Sequence, residues 1–307
     1  MVSWLPFLVD GLLLGSTLAL GAVGLTLTYS ILGFANFTHG DLITWGAYFV
    51  LSLLLAWTAA TGSGLGHLGP FSFGWPFLAA LMVAMVLTGA VGLVLDRVLF
   101  RPLRQHGTQI VLVIASFGAS LALRYGLAFV YGPEPAYYTR EIQLAAPLVP
   151  GLPAVRATPD QLFVLGLTAV LVVGLHLLLT RTTLGRAMRA VSENPTLARV
   201  VGVDPLAVAR WTWLLGGALA AVAGVFVGLT VQVRPWLGFD LLLSLFAATI
   251  LGGVGSVYGA VLGGLLIGLA EALAVPLVGA EYRAAVAFTV LLAVLLVRPR
   301  GLLGTRD

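Results

Sequence analysis

The chain has 307 residues and a formal net charge of +4, with 60% hydrophobic residues, only 9% charged residues and a mean hydropathy of +1.05. A soluble domain carries about 25% charged residues, so this composition excludes a soluble globular protein and predicts a chain that lies mostly in lipid. The sequence contains no cysteine, which excludes disulfides and thiolate metal sites, and no lysine, which excludes a phosphate-binding P-loop in this chain.

Metal, cofactor and nucleic-acid sites are not expected. The histidines are far apart and lack the spacing of metal ligands; they are His39, His67, His106 and His176. The pI of about 9.8 reflects arginines that flank apolar runs, as in most membrane proteins, rather than a surface for nucleic acid. We therefore predict no metal site, no cofactor and no nucleic-acid partner.

Apolar runs long enough to cross a bilayer follow one another along the chain. A span needs about 20 mostly apolar residues. The runs are 5–30, 40–58, 76–98, 109–131, 161–180, 207–232, 256–277 and 282–297, with a shorter run at 241–252. No arginine and no cleavage site accompany the first run, so we interpret it as a retained span. The pattern predicts an all-α, polytopic transmembrane helical bundle of about 8–9 spans, with 1–307 as a single transmembrane domain.

The arginines predict the orientation. Eleven of them lie on one side of the predicted bundle: Arg97, Arg101, Arg104, Arg181, Arg186, Arg189, Arg199, Arg210, Arg298, Arg300 and Arg306. Four lie on the other side: Arg140, Arg156, Arg234 and Arg283. The positive-inside rule makes the first side cytoplasmic. The loop 181–206 is then cytoplasmic, and the proline-rich loop 132–160 is extracytoplasmic.

The same orientation requires a break near 252. Because 233–240 is outside and the tail is inside, the region 241–297 must cross an odd number of times. The run 241–252 must therefore be a short crossing or a re-entrant segment that turns at Gly252, Gly253 and Gly255.

A second interruption lies near the N-terminus, in Gly-Phe-Ala-Asn-Phe-Thr-His-Gly-Asp from Gly33 to Asp41. Paired interruptions in a transporter often mark the substrate pathway, because unwound backbone is tolerated where it lines a cavity. The predicted pathway residues are Asn36, His39, Gly40, Gly252, Gly253, Gly255 and Ser256. The alternative is that Asn36 and His39 tie the broken helix back into the bundle.

Two ionisable residues stand out within spans. A charge inside the membrane costs at least about 2.5 kcal/mol, so Arg124 and Glu271 are expected to pair and to fix two helices together. Asp41 is expected to cap the helix that follows it.

The cytoplasmic loop contains a short amphipathic segment. Ser192 begins a predicted helix that ends at Gly202, and Leu197, Val200 and Val201 share one face of it. Such a face suits a partner protein; the alternative is a helix that lies on the lipid surface.

Three segments carry a resemblance to one family. The loop "GRAMRAVSENPTLARVVGVD" resembles the coupling loop of ABC-importer permeases of the branched-chain amino acid type (LivH-like). The runs "GFANFTHGDLITWGAY" and "ATILGGVGSVYGAVLGGLLIGLAEAL" resemble the N-terminal and C-terminal signatures of that family. Thr38 and Asp41 depart from it, since the family commonly has alanine and glutamate there.

The resemblance implies a non-catalytic permease subunit in the cell membrane. It implies a second, LivM-like permease, two cytoplasmic ATP-binding subunits and an extracytoplasmic substrate-binding protein as partners. The residues expected to couple to the ATPase are Arg189, Glu193, Asn194, Leu197, Val201 and Gly202. Within the superfamily, urea, short amides or sugars are alternative substrates. The rival class is a secondary transporter or channel that works alone; a membrane enzyme is disfavoured because no nucleophile–base spacing stands out.

Overall fold

The computed structural model describes residues 4–62, 64, 66–139, 143–147, 155–298 and 300–304. Its long helices are α1 Leu5–Leu32, α2 Thr38–Thr61, α3 Trp75–Leu95, α5 Gln109–Tyr131, α6 Pro159–Arg181, α9 Pro205–Thr230, α10 Leu237–Gly252, α11 Val257–Val278 and α12 Arg283–Val297. The short helices are α4 Arg101–His106, α7 Thr183–Glu193 and α8 Pro195–Val200. A π-helical turn, Asp96–Phe100, joins α3 to α4, and a 3₁₀ turn, Ala280–Tyr282, precedes α12.

The predicted helical bundle is confirmed. Within the described residues, eight helical segments are long and apolar enough to cross a membrane, and α10 is a shorter apolar helix. In α1 and α9, 72% of the most apolar stretch is buried, against 22% in α6 and 11% in the last span. The helices α1 and α9 therefore form the centre of the bundle, and the others surround them.

Polar caps start several helices where the sequence changes from loop to apolar run. Thr158 and Gln161 form a capping box at the start of α6, in which the Thr158 side chain accepts from the Gln161 N–H at 3.3 Å. Asp204 accepts from the Leu206 N–H at 2.9 Å and is followed by Pro205, whose fixed φ suits the first helical turn.

The C-terminal tail binds the end of the short helix α10. The N–H groups of Leu302 and Leu303 donate to the carbonyls of Leu251 and Gly252 at 2.8 and 2.9 Å. The turn after α10 thus lies beside the tail, as it would if the run 241–252 were a short crossing. In the predicted orientation, such a crossing would give the region from α10 to α12 the odd number of crossings that this orientation requires.

The described residues of the loop 132–160, predicted to be extracytoplasmic, are anchored on the bundle and on each other. Ala136 pairs with Val233, and the short strands β1, Ala146–Pro147, and β2, Arg156–Ala157, pair antiparallel. The Tyr138 hydroxyl donates to the Ala47 carbonyl at 2.9 Å, and burial raises the pKa of Tyr138 well above its usual range. Of the predicted loop 132–160, positions 140–142 and 148–154 lie outside the described residues, as does Arg306 of the tail.

Glycines set the spacing between the central helices. Gly11 and Gly15 of α1 lie against α11, and a Cβ added at Gly224 of α9 would lie 1.9 Å from the carbonyl oxygen of Ile43 in α2. This contact allows two backbones to approach more closely than any side chain permits.

We expect Gly224→Ala to lower the free energy of unfolding by about 1–3 kcal/mol, because the new methyl group must push α9 away from α2. Denaturation of the purified protein in bicelles by sodium dodecyl sulfate measures this. Gly174→Ala is the matched control, since a Cβ there meets no atom within 4 Å. Equal stability of the two variants would contradict the packing argument.

Candidate functional site

The second helix begins inside the bundle. The backbone leaves α1 at Gly33, and the His39 side chain bonds to the carbonyl of Gly21 at 2.9 Å. Gly21 lies eleven residues, or about 16 Å of helix rise, before Leu32, so the His39 side chain contacts the middle of α1 rather than its end. The N-terminus of α2 is consequently buried.

Buried polar groups satisfy the first N–H groups of α2. The Phe37 N–H donates to Ser116 Oγ of α5 at 3.1 Å, and the Thr38 N–H donates to Asn36 Oδ1 at 3.1 Å. Asn36, Thr38 and His39 are all fully buried. These bonds replace the water that a helix end normally binds.

A buried ion pair lies one turn further along α2. Arg124 Nε donates to Asp41 Oδ1 at 3.1 Å, and Arg124 Nη2 donates to Asp41 Oδ2 at 3.2 Å. Ser120 donates to the same carboxylate, and the guanidinium carbon of Arg124 lies 4.0 Å from the ring centroid of Phe239. The pair links α2, α5 and α10.

This geometry corrects the expected pair of Arg124 with Glu271. Arg124 binds Asp41 instead, and Glu271 accepts a hydrogen bond from Ser244 Oγ at 2.6 Å. The sequence placed both residues in the outer part of their spans, but depth alone does not tell which helices face each other. Asp41 is in the first turn of α2, as expected, but its carboxylate binds α5.

The geometry favours a tying role for Asn36 and His39. Both side chains are fully buried, and His39 binds the backbone of α1. Neither residue lines the cavity described below. One nitrogen of each, Asn36 Nδ2 and His39 Nδ1, has no hydrogen-bond partner in the described structure.

The second interruption is a tight turn between α10 and α11. Gly253 and Gly255 have φ of 105° and 89°, which only glycine adopts readily, and Ser256 Oγ accepts from the Gly259 N–H at 3.1 Å. Both interruptions are tied to the same turn of α1. His39 binds the carbonyl of Gly21, and Thr249 Oγ1 of α10 binds that of Ala22 at 3.5 Å.

The loop 181–206, predicted to be cytoplasmic, folds as two helices rather than one. Ser192 lies inside α7, and Asn194 is the residue that caps α8, accepting from the N–H groups of Thr196 and Leu197 at 3.0 Å. The expected start at Ser192 is therefore wrong by two residues, because the asparagine followed by Pro195 is the better cap. Gly202, with φ of 86°, ends the segment as expected.

The predicted apolar face of α8 is exposed. Leu197, Val200 and Val201 expose 63%, 79% and 75% of their surface. Arg189 is also exposed, but its guanidinium donates to the Leu179 carbonyl near the end of α6 at 2.7 Å.

A cavity of about 480 Å³ lies between the outer parts of the helices. Its wall includes apolar residues of α1, α6, α9 and α10 and charged groups of both signs: Asp10, Arg234, Asp240 and Arg283. Arg234 and Asp240 pair at 2.8 Å.

Comparison with known proteins identifies the family. Residues 7–295 match the profile described as "Branched-chain amino acid transport system / permease component". The chain belongs to this family of permeases. It is 36% identical to the high-affinity branched-chain amino acid transport system permease protein BraD of Pseudomonas aeruginosa, over 98% of this chain and 96% of that protein. It is 33% identical to LivH of Escherichia coli over the same shares, and 29% identical to a probable LivH of Methanocaldococcus jannaschii over 97% of this chain and 91% of that protein.

Two features of this permease were missed by sequence reasoning. The first is the partner of Arg124. The sequence does contain evidence for this partner, since Asp41 is an acidic residue next to an apolar run. The outer cavity is the other, and it depends on how six helices meet: α1, α6, α9, α10, α11 and α12. Its residues Asp10 and Arg283 lie near the ends of distant spans that the orientation places on the same side.

We expect Arg124→Gln to lower the free energy of unfolding of the permease by about 3–5 kcal/mol, because it leaves the Asp41 carboxylate buried and unpaired. A double-mutant cycle with Asp41→Asn should show strong coupling, whereas a cycle with Glu271→Gln should be additive to within about 0.5 kcal/mol. Denaturation in bicelles measures both cycles.

The matched control is Arg210→Gln, which breaks an exposed pair with Asp204 at 3.8 Å and should cost at most about 1 kcal/mol. Coupling of Arg124 to Glu271 rather than to Asp41 would overturn the assignment of the pair.

Proposed function

We propose that this permease forms the membrane pathway of an ABC importer for branched-chain amino acids and that separate ATPase subunits drive it. The observation that carries the proposal is the exposed apolar face of α8 on the cytoplasmic side, in a chain that lacks the P-loop lysine. An apolar face in water indicates a protein partner. The full-length similarity to proteins named as branched-chain amino acid permeases supports the substrate class.

A series of packed helices connects this face of α8 to the predicted membrane spans. The helix α8 packs on α7 and α9, and α7 packs on α6. Arg189 fixes α7 to the end of α6, and Asn194 holds the corner between α7 and α8. A displacement of α8 by an ATPase would therefore move the inner ends of α6 and α9. Glu193, Leu197, Val201 and Gly202 complete the proposed coupling segment.

The proposed pathway runs beside the two interruptions. Asn36, His39 and Gly40 form one, and the turn from Gly252 to Ser256, with Gly253 and Gly255, forms the other. Both are anchored on the turn of α1 at Gly21 and Ala22, so a shift of α1 would move both. In this proposal the buried polar groups hold the helix ends in position. The substrate passes beside those helix ends, on the side that faces away from the buried polar groups.

The proposed assembly contains two permeases, of which the second is LivM-like, two ATP-binding subunits and an extracytoplasmic substrate-binding protein. The binding protein would deliver its ligand to the extracytoplasmic end of the permease. There, backbone pairing of Ala136 with Val233 joins two connecting loops. ATP hydrolysis belongs to the partner subunits in this scheme, and the permease has no catalytic residue.

The substrate class is tested with the assembled importer in proteoliposomes. ATP-dependent uptake of radiolabelled leucine should be inhibited by excess valine and isoleucine and not by urea or ribose. Uptake by the permease alone, without an ATPase, would overturn the importer, and inhibition by ribose instead of valine would overturn the substrate class.

We expect Leu197→Glu to reduce co-purification of the ATPase subunits by at least about tenfold, because a buried, unpaired carboxylate would replace an apolar contact. The matched control is Leu144→Glu, which changes an 87% exposed leucine on the extracytoplasmic loop and should leave association unchanged. Size-exclusion chromatography confirms that each variant is folded. Normal ATPase association of folded Leu197→Glu would refute the docking face.

A further inference from the structure

Two charged residues of the outer cavity, Asp10 and Arg283, make no direct ion pair with any described residue. Among the hydrogen bonds and ion pairs of the described residues, none involves the carboxylate of Asp10 or the guanidinium of Arg283. We propose that this cavity is the receiving site for the transported substrate, a zwitterionic α-amino acid with an aliphatic side chain. The proposal rests on the proposed function and adds to it the place and the recognising groups.

Arg283 is positioned against the usual electrostatic preference. It is the first residue of α12, where the positive end of the helix dipole disfavours a cation. Its charge acts on Asp10 of α1 and on Glu271 of α11, but it makes no direct ion pair with either. A guanidinium that is held at a helix start without a direct counter-ion is available to an external carboxylate.

Asp10 supplies the opposite charge. It lies on α1, and Thr17 and Gln161 add polar groups to the same cavity. The remaining charged lining residues, Arg234 and Asp240, pair with each other at 2.8 Å. Among the described residues of the cavity, one acid and one base without a direct ion pair are therefore left for a ligand that carries both charges.

The rest of the cavity suits an aliphatic side chain. Leu13, Leu14, Val164, Val227 and Leu241 contribute to its wall. At about 480 Å³ the cavity is within the usual range for small-molecule sites, about 300–1,000 Å³. An apolar wall beside two convergent opposite charges matches an aliphatic amino acid.

A zwitterion is favoured over ligands that carry one charge. Its ammonium and carboxylate can bind Asp10 and Arg283 together, so both side chains gain partners and the net charge in the cavity does not change. An amine or a carboxylic acid of the same shape would engage only one of the two charged side chains and so would lose one of the two charge-assisted contacts.

The test measures binding of radiolabelled leucine to the assembled permease–ATPase complex in phosphatidylcholine nanodiscs, with the binding protein left out. Unlabelled leucine should compete at least about tenfold better than 3-methylbutylamine, which lacks the carboxylate, or 4-methylpentanoate, which lacks the ammonium. Equal competition by all three compounds would overturn the proposal.

Two variants test which charged side chain of the cavity binds the ammonium of leucine and which binds its carboxylate. Asp10→Asn should abolish the preference for leucine over 4-methylpentanoate but keep the preference over 3-methylbutylamine, and Arg283→Gln should do the reverse. Glu281→Gln is the control, because Glu281 precedes α12 but does not line the cavity. Since the readout is a ratio of ligands, partial loss of folded protein does not alter it, and Asp10→Glu should restore the preference.

Other results separate this proposal from its rivals. If both variants bind leucine normally but bind the binding protein weakly, the cavity is part of a docking surface and the proposal is wrong. If leucine does not bind but phosphatidylethanolamine added to the nanodiscs is retained and is lost in Asp10→Asn, the site belongs to a lipid headgroup. ATP-driven leucine uptake that is unchanged in both variants would leave the importer function intact and overturn only this site.

Discussion

A carboxylate and a guanidinium lie deep in the bundle where α2 has just begun, and neither would be tolerated there without the other. The bidentate contact between Asp41 and Arg124 fixes the first turn of α2 against α5, and Phe239 extends the contact to α10. The chain can therefore leave α1, run back inside the protein and start a helix without water. Both interruptions in the bundle depend on this arrangement, because α10 packs on α2 beside Gly40 and Gly238.

The buried pair lies beside the most closely packed part of the molecule. Around it, α1, α2 and α9 approach so closely that glycines at their contacts meet backbone atoms of the neighbouring helix. The helices α6 and α12 lie at the periphery. An end of α6 accepts the Arg189 hydrogen bond of the loop 181–206, and α12 begins with Arg283.

Hydropathy and the glycines after 251 were sufficient to predict the spans and the break after α10, because both depend on local composition. The sidedness derived from the arginines stays a prediction. The partner of Arg124 was not predictable in the same way. Span depth placed Glu271 at a suitable level, but the choice between Glu271 and Asp41 depends on which faces of α2, α5 and α11 meet. Likewise, Asn194 rather than Ser192 caps α8 because α7 continues to Glu193, and the continuation depends on packing against α6.

The polar groups of the bundle are of two kinds. Some fix the irregular backbone between helices, and others line the outer cavity. Asn36, His39 and Asp41 are motif residues, yet they are buried, and each bonds to a neighbouring segment through at least one atom, although Asn36 Nδ2 and His39 Nδ1 have no partner among the described residues. Asp10 and Arg283 belong to no motif, and each lies on the cavity wall and makes no direct ion pair with a described residue. A neutral zwitterion needs only weak, paired contacts that release it easily, since tight binding would slow transport. Groups at the end of the pathway can provide such contacts, whereas groups that hold a helix end in the core cannot be moved without unfolding it.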